Sequence, residues 1–285
     1  MYWANYHSHC TFCDGRSSME DFVKSAIEMG VKKYGFSSHA PLPFRTKWNM
    51  DIENFPAYQL EFLRLKEKYK THIDLYFGLE VDYIHHFSDS KDAFFNDKTF
   101  DYLIGSIHYI EQLPNGEYWC IDGEFSDFDK GLQLLYGGDI KLAVKRFYEV
   151  TTFMIEKGAF DVIGHFDKIS LHATHYESFD MNDEWYQQLV NDVLQLVKQK
   201  GLILEINTKS LSTKGITYPH QLLYPKIKEL EIPIVVNSDC HHIENVITGF
   251  DTTYKTLLSH NFKHLHQIND GEWTATQFNE YGLIE

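Results

Sequence analysis

The sequence predicts one α/β domain over residues 1–285, a distorted (β/α)7 TIM-like barrel with a metal site at the C-terminal ends of its strands. Three observations lead there. Apolar strand-like runs alternate with helical patterns from end to end, and no linker, repeat or low-complexity segment divides the chain. That alternation implies parallel strands joined by crossover helices. The strand-like runs number seven, around 4–9, 33–38, 73–80, 102–108, 160–165, 202–207 and 233–238. Most of them end in a histidine or a carboxylate, and the C-terminal ends of barrel strands are where this architecture places its chemistry.

Each element has a local reason. His7-Ser8-His9 closes the first run. Residues two apart in a strand point to one side, so two imidazoles can grip one ion. Ser17 or Ser18 then caps a helix over 19–29, with Phe22, Val23, Ala26 and Ile27 on one face and Gly30 as its stop. The second run ends at Ser38-His39. A helix over 54–69 leads to the third run, which ends at Glu80 with Asp82 on the same face. His108 closes the fourth run and His165 the fifth. Glu205 and Asn207 share a face of the sixth and can line the mouth without touching metal. Asp239-Cys240-His241 closes the seventh. Helices over 139–157, 183–200 and 220–229 fill the later intervals.

Two connections are long. Residues 84–100 carry His85, His86, Asp89 and Asp92. Residues 110–131 are rich in glycine, proline and acids, and Tyr118 and Trp119 favour an ordered lid there. In the tail, 248–285, partial alternation at 262–268 and 273–278 points to edge strands or surface cover.

Composition narrows the class. The 43% hydrophobic and 24% charged content is that of a globular protein in water. No run approaches the ~18 apolar residues of a membrane span. Met1-Tyr2-Trp3-Ala4-Asn5 enters a strand without the basic and apolar regions of a signal peptide, so a cytoplasmic location is expected. A net charge of −15 argues against nucleic-acid binding. It leaves an anionic small molecule open, because bound cations reverse the local field. Four cysteines are too few for a disulfide scaffold. Cys10-Thr11-Phe12-Cys13 has redox or zinc spacing, but no second such pair exists, and the two read as small residues beside a metal site.

Imidazole and carboxylate are ligands of first-row divalent cations. Six strand ends carry nine such residues: His7, His9, Asp14, His39, Glu80, His108, His165, Asp239 and His241. One zinc ion takes only three or four protein ligands, so nine imply two or three ions. A carboxylate at Glu80 is placed to bridge two of them.

His7-Ser8-His9, Asp14-Gly15, Ser38-His39, Gly78-Leu79-Glu80-Val81-Asp82, Gly105-Ser106-Ile107-His108, Ile163-Gly164-His165 and Ser238-Asp239-Cys240-His241 resemble, in order, the successive motifs of the PHP (polymerase and histidinol phosphatase) family. The resemblance spans residues 7–241. It implies a centre of three divalent ions, manganese, iron or zinc. His7, His9, Glu80 and Asp239 would hold the first, Glu80, His108 and His165 the second, and Asp14, His39 and His241 the third. It also implies hydrolysis of a phosphate monoester by a hydroxide held between two ions, with Glu80, Asp239 and His241 in catalytic positions.

Within the family the chain is similar to the stand-alone histidinol-phosphatases, which implies L-histidinol phosphate as a small-molecule substrate in histidine biosynthesis. Arg16, Arg45, Lys168 and Lys209 lie near strand ends and are candidate phosphate contacts. Glu117 and Asp122 in the lid, with Tyr118, are candidates for the substrate's amine and imidazole. Three other readings stand beside this one. The first is a related phosphoesterase acting on nucleotides or other small phosphate esters. The second is a metal-dependent amidohydrolase, weakened by the Asp239-x-His241 pair and the seven-strand count. The third is a non-catalytic module, which would be expected to have lost ligands. The oligomeric state is left open.

Overall fold

In the computed structural model of the chain, residues 1–84 and 100–284 are described. His85, His86, Asp89 and Asp92 of the first long connection lie outside them. Seven parallel strands form the central sheet: β1 (Trp3–Asn5), β2 (Val31–Phe36), β3 (Asp74–Asp82), β4 (Tyr102–Ser106), β7 (Val162–Ile163), β8 (Ile203–Asn207) and β9 (Ile234–Asn237). They neighbour one another in that order. The sheet curls into a nearly closed barrel. β4, β8 and β9 are buried at every residue, the pattern of a sheet covered on both faces.

The β9–β1 seam closes mostly through side chains. One bridge joins Ser8 to Cys240, with His9 N–H donating to Cys240 O at 2.9 Å. Asn5 Nδ2 donates to Ser238 Oγ at 2.8 Å, and Asn5 Oδ1 accepts from Ser238 N–H at 3.2 Å. Tyr6 N–H donates to Asn237 Oδ1 at 2.8 Å. Inside the barrel the Tyr102 ring crosses β2 and β3. A Cβ at Gly35 would lie 2.3 Å from Tyr102 Oη and one at Gly78 2.6 Å from its ring, so this packing requires glycine at both.

Helices cover the sheet as expected: α1 (Met19–Glu28), α2 (Phe55–Tyr69), α4 (Ile140–Lys157), α6 (Glu184–Lys200) and α8 (Tyr224–Glu229). Ser18 Oγ accepts from Asp21 N–H and caps α1, Asp139 caps α4 in the same way, and Gly201 ends α6 in the left-handed conformation. Short helices α5 (Ser170–Ala173) and α7 (Leu211–Lys214) follow β7 and β8.

Two regions differ from the sequence reading. Residues 110–131 are not one loop. They hold a hairpin of β5 (Tyr109–Gln112) and β6 (Tyr118–Cys120), then the start of helix α3 (Phe125–Tyr136). Gly131 belongs to that helix: a Cβ there would meet Trp119 Nε1 at 2.1 Å, so the glycine makes room for the buried indole. The tail contains an unexpected helix, α9 (Phe250–Ser259), followed by the antiparallel strands β10 (His264–Asn269), β11 (Glu272–Asn279) and β12 (Gly282–Leu283). These strands cover the end of the barrel opposite the histidines. Ile268 O accepts from Lys33 Nζ and Tyr76 Oη, Ile268 N–H donates to Tyr6 Oη, and Trp273 packs edge-on against Tyr6.

Candidate metal centre

At the other end of the barrel all nine expected side chains converge. Glu80 stands in the middle. Its Oε2 lies 3.2 Å from His7 Nε2, 3.4 Å from His9 Nε2 and 3.1 Å from His39 Nδ1. Its Oε1 lies 2.9 Å from His165 Nε2 and 3.8 Å from His108 Nε2. Asp239 Oδ1 faces the same space, 3.2 Å from His9 Nε2 and 3.8 Å from His7 Nε2. Asp14 closes the outer side with Oδ2 3.3 Å from His241 Nε2, and the His241 ring stacks on His9 at 4.1 Å. The backbone is strained at two of these positions: φ is 22° at His165 and 50° at Asp239, in the left-handed region that non-glycine residues avoid.

Among the described residues three sets of ligand atoms gather within 4.8 Å: His7, His9 and Asp239; His39, Glu80 and His108; and His9, Asp14, His39 and His241. The grouping departs in detail from the one the family pattern implies. His39 joins Glu80 and His108 as well as the outer set. His165 enters no set, although its Nε2 touches Glu80.

The donors fit divalent cations. His7 Nε2, His9 Nε2, His39 Nδ1 and Asp14 Oδ1 are buried without a hydrogen-bond partner, a costly state for polar atoms that no cation engages. Six carboxylates (Asp14, Glu80, Asp82, Asp122, Glu205 and Asp239) gather in and behind the cluster against Lys168 and Lys209.

Five of these groups, Glu80, Asp239, His9, His39 and His165, are shifted toward the charge state of a metal ligand. Burial opposes ionisation of Glu80, but His39, His7 and His165 hold its carboxyl well below the usual range. Lys209 and His7 do the same for Asp239 against the same burial. Burial, with His241 and His39 alongside, pushes His9 well down, and burial lowers His39 and His165. Neutral imidazole is the ligand form. At His7 burial is outweighed by Glu205, Glu80 and Asp239, and its pKa rises. At His108 burial is outweighed by Asp82, and the pKa is pushed up to about 9.

The cluster floors a cavity of about 100 Å³ lined by Asp14, His39, Trp48, Glu80, His108, Asp122, Lys209, Asp239 and His241. A larger open cleft of about 600 Å³, lined by Leu142, Trp185 and Leu189 among others, lies on the outer helices and holds no histidine or cysteine.

Of the expected substrate contacts, Lys209 and Asp122 line the cavity. Lys209 Nζ lies 3.1 Å from Asp239 Oδ1. Asp122 is already paired, 3.1 Å from the buried Lys168 Nζ, which also sits 5.0 Å above the Tyr218 ring. Arg16, Arg45 and Glu117 are exposed and stand outside the lining. Arg16 contributes its backbone N–H, which donates to His241 O at 2.8 Å. Glu117 sits at the hairpin tip, where Asn115 Nδ2 donates to it.

Sequence reasoning passed over Trp48, in the proline- and arginine-containing stretch after His39. Its ring stacks on Tyr109 at 5.5 Å, and its buried Nε1 has no hydrogen-bond partner. Nothing local marked it, because its place depends on the β5–β6 hairpin. All four cysteines are free. Cys13 Sγ lies 3.5 Å from His9 Nδ1, behind the cluster.

Comparison with known proteins agrees with this geometry. Residues 5–209 match the PHP domain family model. A histidinol-phosphatase of Bacillus subtilis is 25% identical over 258 residues, covering 84% of this chain and 94% of its own. A solved structure from Listeria monocytogenes, assigned as a histidinol phosphatase, superposes with a TM-score of 0.79 at 27% identity, over 87% of this chain and 99% of its own. The histidinol phosphate phosphatase of Lactococcus lactis, solved with zinc, L-histidinol and phosphate, has a TM-score of 0.74 at 19% identity, over 99% of both chains. That likeness speaks to the fold. With the family model covering most of its length and the motif residues assembled at one end of a seven-stranded barrel, this chain belongs to the PHP domain family.

Proposed function

We propose that the chain is a metal-dependent phosphomonoesterase whose substrate is L-histidinol phosphate. One observation carries the reading. Nine imidazole and carboxylate side chains cluster at one end of the barrel, and six of them line one small cavity with a lysine at its rim, a surface built for cations below and an anion above. The relatives' activity supports the substrate.

His7, His9 and Asp239 would hold one ion. Glu80 with His108 and His165 would hold a second, and Asp14, His39 and His241 a third, each neutral imidazole giving its one lone pair to one ion. Zinc, the metal in the Lactococcus structure, suits this donor set, and manganese or iron would suit it too. When bound, such ions polarise a phosphoryl group and make water acidic enough to attack near neutral pH.

The chain's own residues do the rest. Lys209 Nζ, held against Asp239, binds a phosphoryl oxygen at the rim and orients the ester. Lys168 is buried and spent on Asp122, so it fixes the lid and leaves Lys209 as the phosphate contact. Asp239 and His241 border the space where the leaving alkoxide emerges and are the candidates to pass it a proton through a water beside them. Trp48, stacked on Tyr109, offers a flat aromatic wall to the imidazole of the substrate.

The test is phosphate release from L-histidinol phosphate beside adenosine, uridine and glycerol monophosphates, with zinc or manganese supplied. The reading expects histidinol phosphate to be preferred by at least about tenfold in kcat/KM, as a difference of ~1.4 kcal/mol in transition-state binding requires. Equal or better turnover of a nucleotide would move the chain to the alternative substrate class.

A further inference from the structure

Glu205 lies in the middle of β8, wholly buried beneath the cluster, and it lines no part of the cavity. Four donors meet its carboxylate. Oε1 lies 2.6 Å from His7 Nδ1 and accepts from Asn237 Nδ2 at 3.0 Å. Oε2 accepts from the His165 backbone N–H at 2.9 Å and from Asn207 Nδ2 at 3.0 Å. A carboxylate offers about four lone-pair sites, and all are taken. The partners come from the ends of four strands, β1, β7, β8 and β9.

We propose that Glu205 is a positioning residue for the metal centre. It fixes His7 as the Nδ1–H tautomer, so that the Nε2 lone pair faces Glu80 Oε2 at 3.2 Å and Asp239 Oδ1 at 3.8 Å. Asp82 repeats the device at His108. It accepts from His108 Nδ1–H and is itself held by Asn49 Nδ2 at 2.8 Å, which leaves His108 Nε2 toward Glu80 Oε1. The two outer carboxylates thus present Nε2 of one histidine to each oxygen of Glu80.

A glutamine at 205 cannot reproduce this. Whichever way it turns, its NH2 confronts two donors, and the shared contact with His7 or with His165 is lost. Partners of this kind orient metal-binding histidines, and their loss typically weakens metal affinity about 10–100-fold.

The inference rests on the metal-centre reading. Its test uses the full chain loaded with zinc and labelled with 15N-histidine. The native spectrum should show His7 and His108 protonated at Nδ1 with zinc-shifted Nε2. E205Q should disturb His7 and spare His108, D82N should do the reverse, and E205Q should bind zinc about 10–100-fold more weakly in equilibrium dialysis. His7 found unprotonated at Nδ1 in the native spectrum would overturn the proposal, and that readout needs no variant to fold. Unchanged zinc affinity in E205Q beside normal native binding would overturn it alone. A native chain that takes up no divalent cation would overturn the metal-centre reading itself.

Discussion

At the scale of single residues, the site is governed by how few polar atoms have protein partners. Glu80 is buried with three histidine nitrogens within 3.4 Å of one oxygen, an arrangement that makes sense around positive charge. Asp239 combines a strained backbone with contacts to His9 and Lys209. We expect Asp239→Asn, assayed at saturating metal, to lower kcat about 100-fold or more while KM moves little, since the loss of a transition-state contact appears in kcat. A large KM change with kcat preserved would assign Asp239 to substrate binding. Trp48→Ala should raise KM for histidinol phosphate about 3–10-fold, the worth of one aromatic contact, and leave glycerol phosphate turnover unchanged. Equal effects on both substrates would remove Trp48 from recognition.

Eight of the nine ligand-type residues were readable because each sits in an apolar strand run or within four residues of its end, and Asp14, in the turn after His9, rested on the family pattern. Lys168 was read as a phosphate contact, and its burial was not legible because Asp122 and Tyr218 from two other loops create it. Arg16 and Arg45 show the converse: nearness to a strand end in sequence does not aim a long side chain at the cavity.

At the scale of elements, the strands hold the site and the connections frame it. Seven parallel strands were legible from their apolar runs, since a sheet buried on both faces leaves little room for polar interruption. The β5–β6 hairpin and α3 were less legible. Their glycines read as loop punctuation, yet Gly131 is there for the packing of Trp119. The β9–β1 seam depends on Asn5, whose Nδ2 also donates to Val246 O at 3.0 Å. Asn5→Ala leaves several buried groups unpaired, at about 1–3 kcal/mol each. Its urea midpoint should therefore fall by an amount worth about 3 kcal/mol or more, with metal absent. A shift below about 0.5 kcal/mol, the range of surface substitutions, would show that the seam is held elsewhere.

At the scale of the whole molecule, a chain of net charge −15 concentrates six carboxylates and six histidines at one end of a barrel whose other end is sealed by the tail. Among the described residues, no helix is long and apolar enough to cross a membrane. Cations that bind the folded site and not the unfolded chain must stabilise it, by about 2.7 kcal/mol per site at a hundredfold excess over Kd. The thermal midpoint of the chelated protein should rise by about 5 °C or more when zinc or manganese is added. No rise would mean that the cluster does not bind these ions in the folded state.

The most direct test of the account is phosphate release from L-histidinol phosphate by protein stripped with a chelator and then titrated with zinc, manganese or iron. Activity should vanish on stripping and return as two to three equivalents of metal are taken up. Turnover that survives complete metal removal would contradict the central claim.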